Sequence, residues 1–174
     1  LKHMRFLNNQ PKFGHIVDYT RGLGKKGDAG FYRLCGGSLG GKARGLAFAR
    51  QMIKISTIQE TFPEIKISVP QAAIIGTDEF DQFMKDNNLW EKALKTIDDS
   101  KLNQLFIDSR LSLDLILKLE SFLEDATFPL AIRSSSLLED SQYQPLAGAY
   151  STFMLANNQP RVIDRVKALR KTIK

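Results

Sequence analysis

The stretch Gly36-Gly37-Ser38-Leu39-Gly40-Gly41-Lys42-Ala43-Arg44-Gly45 constrains this chain more than any other, because a glycine-rich loop passes directly into a helix whose first turn carries two cations. Leu46, Ala49, Met52 and Ile53 recur at helical spacing, and no helix breaker intervenes before Thr57. Lys42 and Arg44 therefore fall where the helix macrodipole favours carboxylates over ammonium groups. A phosphate resolves the conflict by meeting free backbone N–H groups, the dipole and both side chains at once. Glycine, lacking a Cβ, lets the backbone itself approach such a ligand. Gly40, Gly41, Lys42 and Arg44 are the first candidate anion-binding residues.

The charge pattern singles out the same region. Residues 21–54 hold eight Lys/Arg and one acid, Asp28, whereas the whole chain carries +6, so the rest sums to −1. Ten of the twelve glycines lie between Gly14 and Gly45, a span that overlaps this basic segment. A nucleic-acid surface spreads its cations along a face with aromatic residues between them, so this tight focus argues against a nucleic-acid partner. Arg21, Lys25 and Lys26 suit a solvated loop equally well. With 174 residues, 43% hydrophobic and 25% charged, the chain can bury one core, as one domain or one lobe of a larger domain. Cys35 is the only cysteine, which excludes an internal disulfide, offers no cysteine pair to a metal, and fits a reducing cytoplasmic setting. The absence of a long apolar run or a signal-peptide pattern argues against a membrane partner. Leu1-Lys2-His3-Met4 reads as a tag remnant.

Along the chain, residues 5–35 read as an irregular or hairpin-like lead-in that ends in a strand over Phe31 to Cys35. A helix is predicted over 42–56. Ile65 to Val69 alternates apolar and polar residues, and Ala72 to Ile75 reads as a buried strand after a break at Pro70. Thr77 is a candidate cap for a helix to about Lys85, with Asp78 and Glu79 as first-turn acids. Further helices are predicted near 90–97, 101–106 and 112–123, the last burying Leu113, Ile116, Leu117, Leu119 and Leu123. Pro129 to Ile132 and Tyr150 to Leu155 read as strands.

A second constellation is Ile132-Arg133-Ser134-Ser135-Ser136, where a cation and three hydroxyls end an apolar strand. Ligands often sit beyond strand ends, and the planar guanidinium fork suits phosphate oxygens bidentately. An ion pair of Arg133 with Glu139 or Asp140 is the alternative, since buried charges are paired. Pro145 to Thr152 reads as a turn whose Gly148 lets the backbone close over a ligand, or as an ordinary hairpin tip.

Gly40-Gly41-Lys42, Val69-Pro70 with Thr77, Phe80 and Phe83, Ile132-Arg133-Ser134-Ser135 with Glu139-Asp140, and Leu146-Ala147-Gly148 with Thr152 follow one another in an order that resembles the N-terminal nucleotide-binding domain of the pyruvate phosphate dikinase and phosphoenolpyruvate synthase family. The resemblance spans about 36–156. It implies an α/β (α+β) fold, the N-terminal lobe of an ATP-grasp domain with a mixed sheet and flanking helices. Residues 1–35 precede that lobe, and 157–174 begin a helix leading to the second half. The resemblance further implies ATP as ligand, with its phosphates on Gly40, Gly41, Lys42, Arg44, Arg133 and Ser134 and with Gly148 and Thr152 on a loop at the nucleotide. In such enzymes the ATP β-phosphoryl group passes to a histidine on a swivelling domain and then to pyruvate. The implied partners are therefore the second half of the ATP-grasp domain, the phosphohistidine domain and pyruvate.

The chain departs from the family pattern at Ala149 and Tyr150, where glutamines commonly follow the loop glycine. No phosphohistidine motif is present, and neither His3 nor His15 is assigned a catalytic role. No metal ligand is assigned either, because the family's Mg2+-binding acids belong to the second half. The chain alone is thus expected to be inactive. Two other readings stand beside this one. Gly36 to Lys42 satisfies G-x-x-x-x-G-K of a P-loop, with Leu105 to Asp108 as a Walker-B strand, but Ala43 stands where a Mg2+-binding hydroxyl belongs. A regulatory module could instead sense a nucleotide without transferring a phosphoryl group.

Overall fold

The computed structural model describes residues 16–20, 30–135 and 150–174. Strand β1 (Val17–Asp18) pairs in parallel with β2 (Phe31–Arg33), and β2 in parallel with β3 (Ala72–Ile74). Parallel neighbours cannot be joined by a tight turn, and helices α1 (Gly41–Ile55) and α2 (Ile58–Thr61) form the crossover between β2 and β3. Helices α3 (Thr77–Asp86), α4 (Leu89–Lys95), α5 (Asp99–Asp108) and α6 (Leu113–Asp125) follow. Strands β4 (Leu130–Arg133) and β5 (Thr152–Leu155) then form an antiparallel ribbon, and α7 (Val162–Ile173) packs against α6 and β5. Parallel and antiparallel pairing thus both occur, in two separate sheets within one α/β domain.

The core is built on the apolar stripe of α6. Leu115, Leu119, Phe122 and Leu123 recur at helical spacing and are buried, against Tyr32 and Leu34 of the β2 region, Phe83 and Met84 of α3, and Val166 and Leu169 of α7. Tyr19 stacks edge-on to Tyr32 at 5.5 Å and donates its hydroxyl hydrogen to Ser121 at 3.0 Å, so its polar tip is satisfied inside the core. Both ends of α6 are capped. Ser112 Oγ accepts from Leu115 N at 3.1 Å, while the carbonyl of Ala126 accepts from Asn157 and from the buried Arg165, a cation at the negative end of the helix.

Four local expectations change. Of the irregular and hairpin-like readings of the lead-in, the hairpin falls for the described residues, since β1 lies parallel to β2. Residues 65–69 form no strand, and extended pairing begins only at Ala72, beyond the proline that cannot donate to a ladder. Thr77 is the first helical residue rather than the cap; Gly76 holds the cap position, and the Thr77 hydroxyl accepts from Ser38 N instead. Leu113 and Leu117 are 70% and 55% exposed, because each lies two residues from Leu115, about 200° around the helix.

That last difference gives a measurable contrast. Leu115→Ala should lower stability by about 2–5 kcal/mol in equilibrium urea unfolding, whereas Leu113→Ala and Leu117→Ala should stay within about 0.5 kcal/mol of the parent. Equal losses at Leu113 and Leu115 would contradict this assignment of the α6 face.

Candidate functional site

The glycine loop leaves β2 and first wraps the N-terminus of α3. Gly37 has φ of 95°, and a Cβ there would lie 2.5 Å from Asp78 N, so both conformation and space demand glycine. Ser38 and Thr77 exchange hydrogen bonds: Ser38 N donates to Thr77 Oγ1 at 2.9 Å, and Thr77 N donates to the Ser38 carbonyl at 3.2 Å. Asp78 N reaches the Gly36 carbonyl at 3.4 Å. The first amides of α3 are thus turned toward the loop.

Behind the loop lies a buried polar cluster. Glu79 accepts from Ser112 Oγ at 2.8 Å and from Ser112 N at 3.2 Å, and the Cys35 thiol donates to it at 3.7 Å. Burial, reinforced by the neighbouring Glu79 charge, pushes the Cys35 thiol up to about 11. Cys35 is therefore a protonated, inert strut at neutral pH rather than a nucleophile. Sequence reading takes Glu79 only as a first-turn acid; its link to Ser112, across 33 positions, carries no local signal.

The loop then delivers Gly40 to the N-terminus of α1, where the two constellations meet. A Cβ on Gly40 would lie 2.1 Å from the Ser135 carbonyl oxygen and 2.3 Å from Ser135 Oγ, so the helix start and the end of β4 are in backbone contact. Lys42, half-buried, donates from Nζ to the Ser134 carbonyl at 3.4 Å, and its ammonium sits 5.9 Å from the centre of the Tyr150 ring. Arg133 and Thr152 are cross-strand partners in the β4–β5 ribbon and both are exposed. Cross-strand partners share a face, so the guanidinium and hydroxyl stand side by side. Gly40 and Lys42 at the start of α1 thus touch Ser134 and Ser135 just beyond β4, and Arg133 and Thr152 stand on the adjoining ribbon. Arg44 is exposed; its backbone N donates to the Gly40 carbonyl at 3.2 Å, and among the described residues its side chain makes no hydrogen bond or ion pair. Gly148, Ser136, Glu139 and Asp140 lie outside the described residues, as do Arg21, Lys25 and Lys26. Arg133 is not the buried cation that an apolar strand end suggests, because β4 alternates half-buried and exposed positions and Arg133 takes an exposed one.

Electrostatically the junction differs from the other helix starts. Every other described helix carries an acid in its first turn, and Asp98 and Ser112 also cap α5 and α6, whereas α1 has no first-turn acid and, like α2, α3, α4 and α7, no side-chain cap. Backbone donors, a helix dipole and the Lys42 ammonium are groups that suit an anion, and Arg133 stands on the adjoining ribbon. Among the described residues no three His, Cys, Asp or Glu side chains converge, and the cationic surroundings of α1 do not suit Mg2+, so no step is assigned to a metal here. The P-loop alternative fails on its second half: Leu105 to Asp108 lies in helix α5, not in a strand.

The fold is an α/β domain in which a glycine-led helix meets the end of a two-stranded ribbon. The sequence model of the family described as pyruvate phosphate dikinase, AMP/ATP-binding domain, matches residues 37–173, and the chain belongs to that family. Comparison with curated proteins and with solved structures gave no match. The chain is accordingly an ATP-binding domain of the dikinase-like proteins. Among the described residues no helix is long and apolar enough to cross a membrane.

Two glycines at α1 should respond in opposite directions. Gly40→Ala must push Ser135 away and should cost about 1–3 kcal/mol of stability as an overpacked contact. At Gly45 a Cβ would meet nothing within 4 Å, so Gly45→Ala should raise stability by about 0.5–1 kcal/mol through helix propensity. Thermal or urea unfolding of both variants checks this, and a stabilised Gly40→Ala would refute the close contact.

Proposed function

We propose that this chain is the N-terminal lobe of an ATP-grasp domain in a multidomain phosphotransferase of the dikinase or phosphoenolpyruvate synthase type. The observation that carries the reading is the junction itself, where Gly40 abuts Ser135 and Lys42 bridges to Ser134 beside Arg133 and Thr152. In this reading the α1 amides from Gly41 onward and the Lys42 ammonium hold phosphate oxygens, and Arg133 grips two of them with its fork. Ser134 and Thr152 supply hydroxyl donors from the ribbon, Arg44 adds long-range positive potential, and Gly148 is assigned to the nucleotide by the family resemblance alone.

Phosphoryl transfer is largely a matter of positioning and charge stabilisation, and this lobe supplies the cationic side of that task. The accepting histidine and the Mg2+-binding acids come, in this reading, from other parts of the enzyme, which passes the ATP β-phosphoryl group to that histidine and then to pyruvate in the cytoplasm. The family membership supports ATP as the ligand. A nucleotide-sensing module would bind ATP through the same residues and transfer no phosphoryl group.

Calorimetric titration of the full chain with ATP tests the assignment. Lys42→Ala should weaken ATP by roughly 10- to 100-fold, the range for a hydrogen bond from a charged group. Arg133→Lys keeps the charge but loses the fork, and should weaken ATP by about tenfold while its stability stays within about 0.5 kcal/mol, since Arg133 is exposed. Unchanged ATP affinity in both variants would overturn the site.

A further inference from the structure

Tyr150 stands at the junction in a position that the phosphate-binding reading does not use. Its ring centre lies 5.9 Å from Lys42 Nζ, within the range at which an ammonium is attracted to an aromatic face. The ring is half-buried and sits two residues before Thr152, where β5 begins and pairs with Arg133. Lys42 is thereby held between two groups of the ribbon region, the Ser134 carbonyl at 3.4 Å and the Tyr150 ring, although its own backbone belongs to α1.

A lysine side chain has four rotatable bonds and loses much conformational freedom when a ligand fixes it. A group that narrows those rotamers beforehand strengthens binding by reducing what must be ordered on association. An aromatic face suits this task because it attracts the charge without a localised lone pair, so the ammonium can turn a donor to an arriving phosphate oxygen while staying against the ring. We propose that Tyr150 is a positioning residue that preorganises Lys42 for an anionic phosphate ligand, an inference that rests on the phosphate-binding assignment of Lys42. The aromatic ring, not the phenolic hydroxyl, is the part that acts.

The test uses the full chain and compares Tyr150→Phe, Tyr150→Leu, Lys42→Ala and the Lys42→Ala/Tyr150→Leu double variant. Without ligand, the ring current of Tyr150 should shift the Lys42 ε-methylene protons upfield; the shift should persist in Tyr150→Phe and vanish in Tyr150→Leu. In ATP titrations Tyr150→Phe should bind within about twofold of the parent, and Tyr150→Leu should bind about fivefold more weakly, the scale of an exposed cation–π contact. In the Lys42→Ala background Tyr150→Leu should add nothing, because the residue through which it acts is gone. The proposal is overturned if Tyr150→Leu binds like the parent, if Tyr150→Phe is as weak as Tyr150→Leu, or if the loss persists in the Lys42→Ala background. Were Lys42→Ala to bind ATP as the parent does, the phosphate assignment would fall and this role with it; a normal Lys42→Ala loss with an unaffected Tyr150→Leu would sink the positioning role alone.

Discussion

The start of α1 and the end of β4 meet at Gly40, where the Ser135 backbone comes so close that no other side chain fits without movement. That contact sets the rest of the site. It brings the start of α1 against the residues that follow β4 and lets Lys42 reach across to the carbonyl of Ser134, next in the chain after Arg133, whose cross-strand partner is Thr152. Two chain segments more than ninety positions apart are thus brought into contact. The charge arrangement is unfavourable by itself, with cations at the positive end of a dipole, and an anionic ligand removes the conflict.

The loop that feeds this contact is held from behind by packing and hydrogen bonds. Gly37 and the Ser38–Thr77 pair seat it on α3, and Glu79 ties Cys35 at the loop's start to the cap of α6. Through α6 the loop is connected to the main core, where Leu115 and Leu123 are fully buried. The loop is therefore anchored to the buried core of the domain. Such support keeps backbone donors in place without reorganisation when a ligand arrives.

Much of this was legible in the residues. The glycine run, the helical period after it and the Arg-Ser-Ser strand end each carry a local chemical signal, and the helices over 41–55 and 113–125 follow from their periodicity. What was not legible depends on distance in sequence. The face of α6 that turns inward is set by its neighbours, so Leu113 and Leu117 read as core yet lie exposed. The parallel pairing of β1 and the role of Thr77 depend on partners that no local pattern names. Tyr150 reads only as a departure from the family pattern; its place over Lys42 needs the ribbon and α1 together.

If the α1 start and the β4–β5 ribbon form one phosphate-binding surface, a nucleotide must perturb both segments together. The most direct test is a titration of the isotopically labelled chain with ATP, followed by backbone amide NMR. The account predicts saturable shifts concentrated at Gly40, Gly41, Lys42 and Ala43 together with Ser134 and Thr152, at a common affinity. Shifts confined to one of the two segments, or centred elsewhere in the domain, would contradict it.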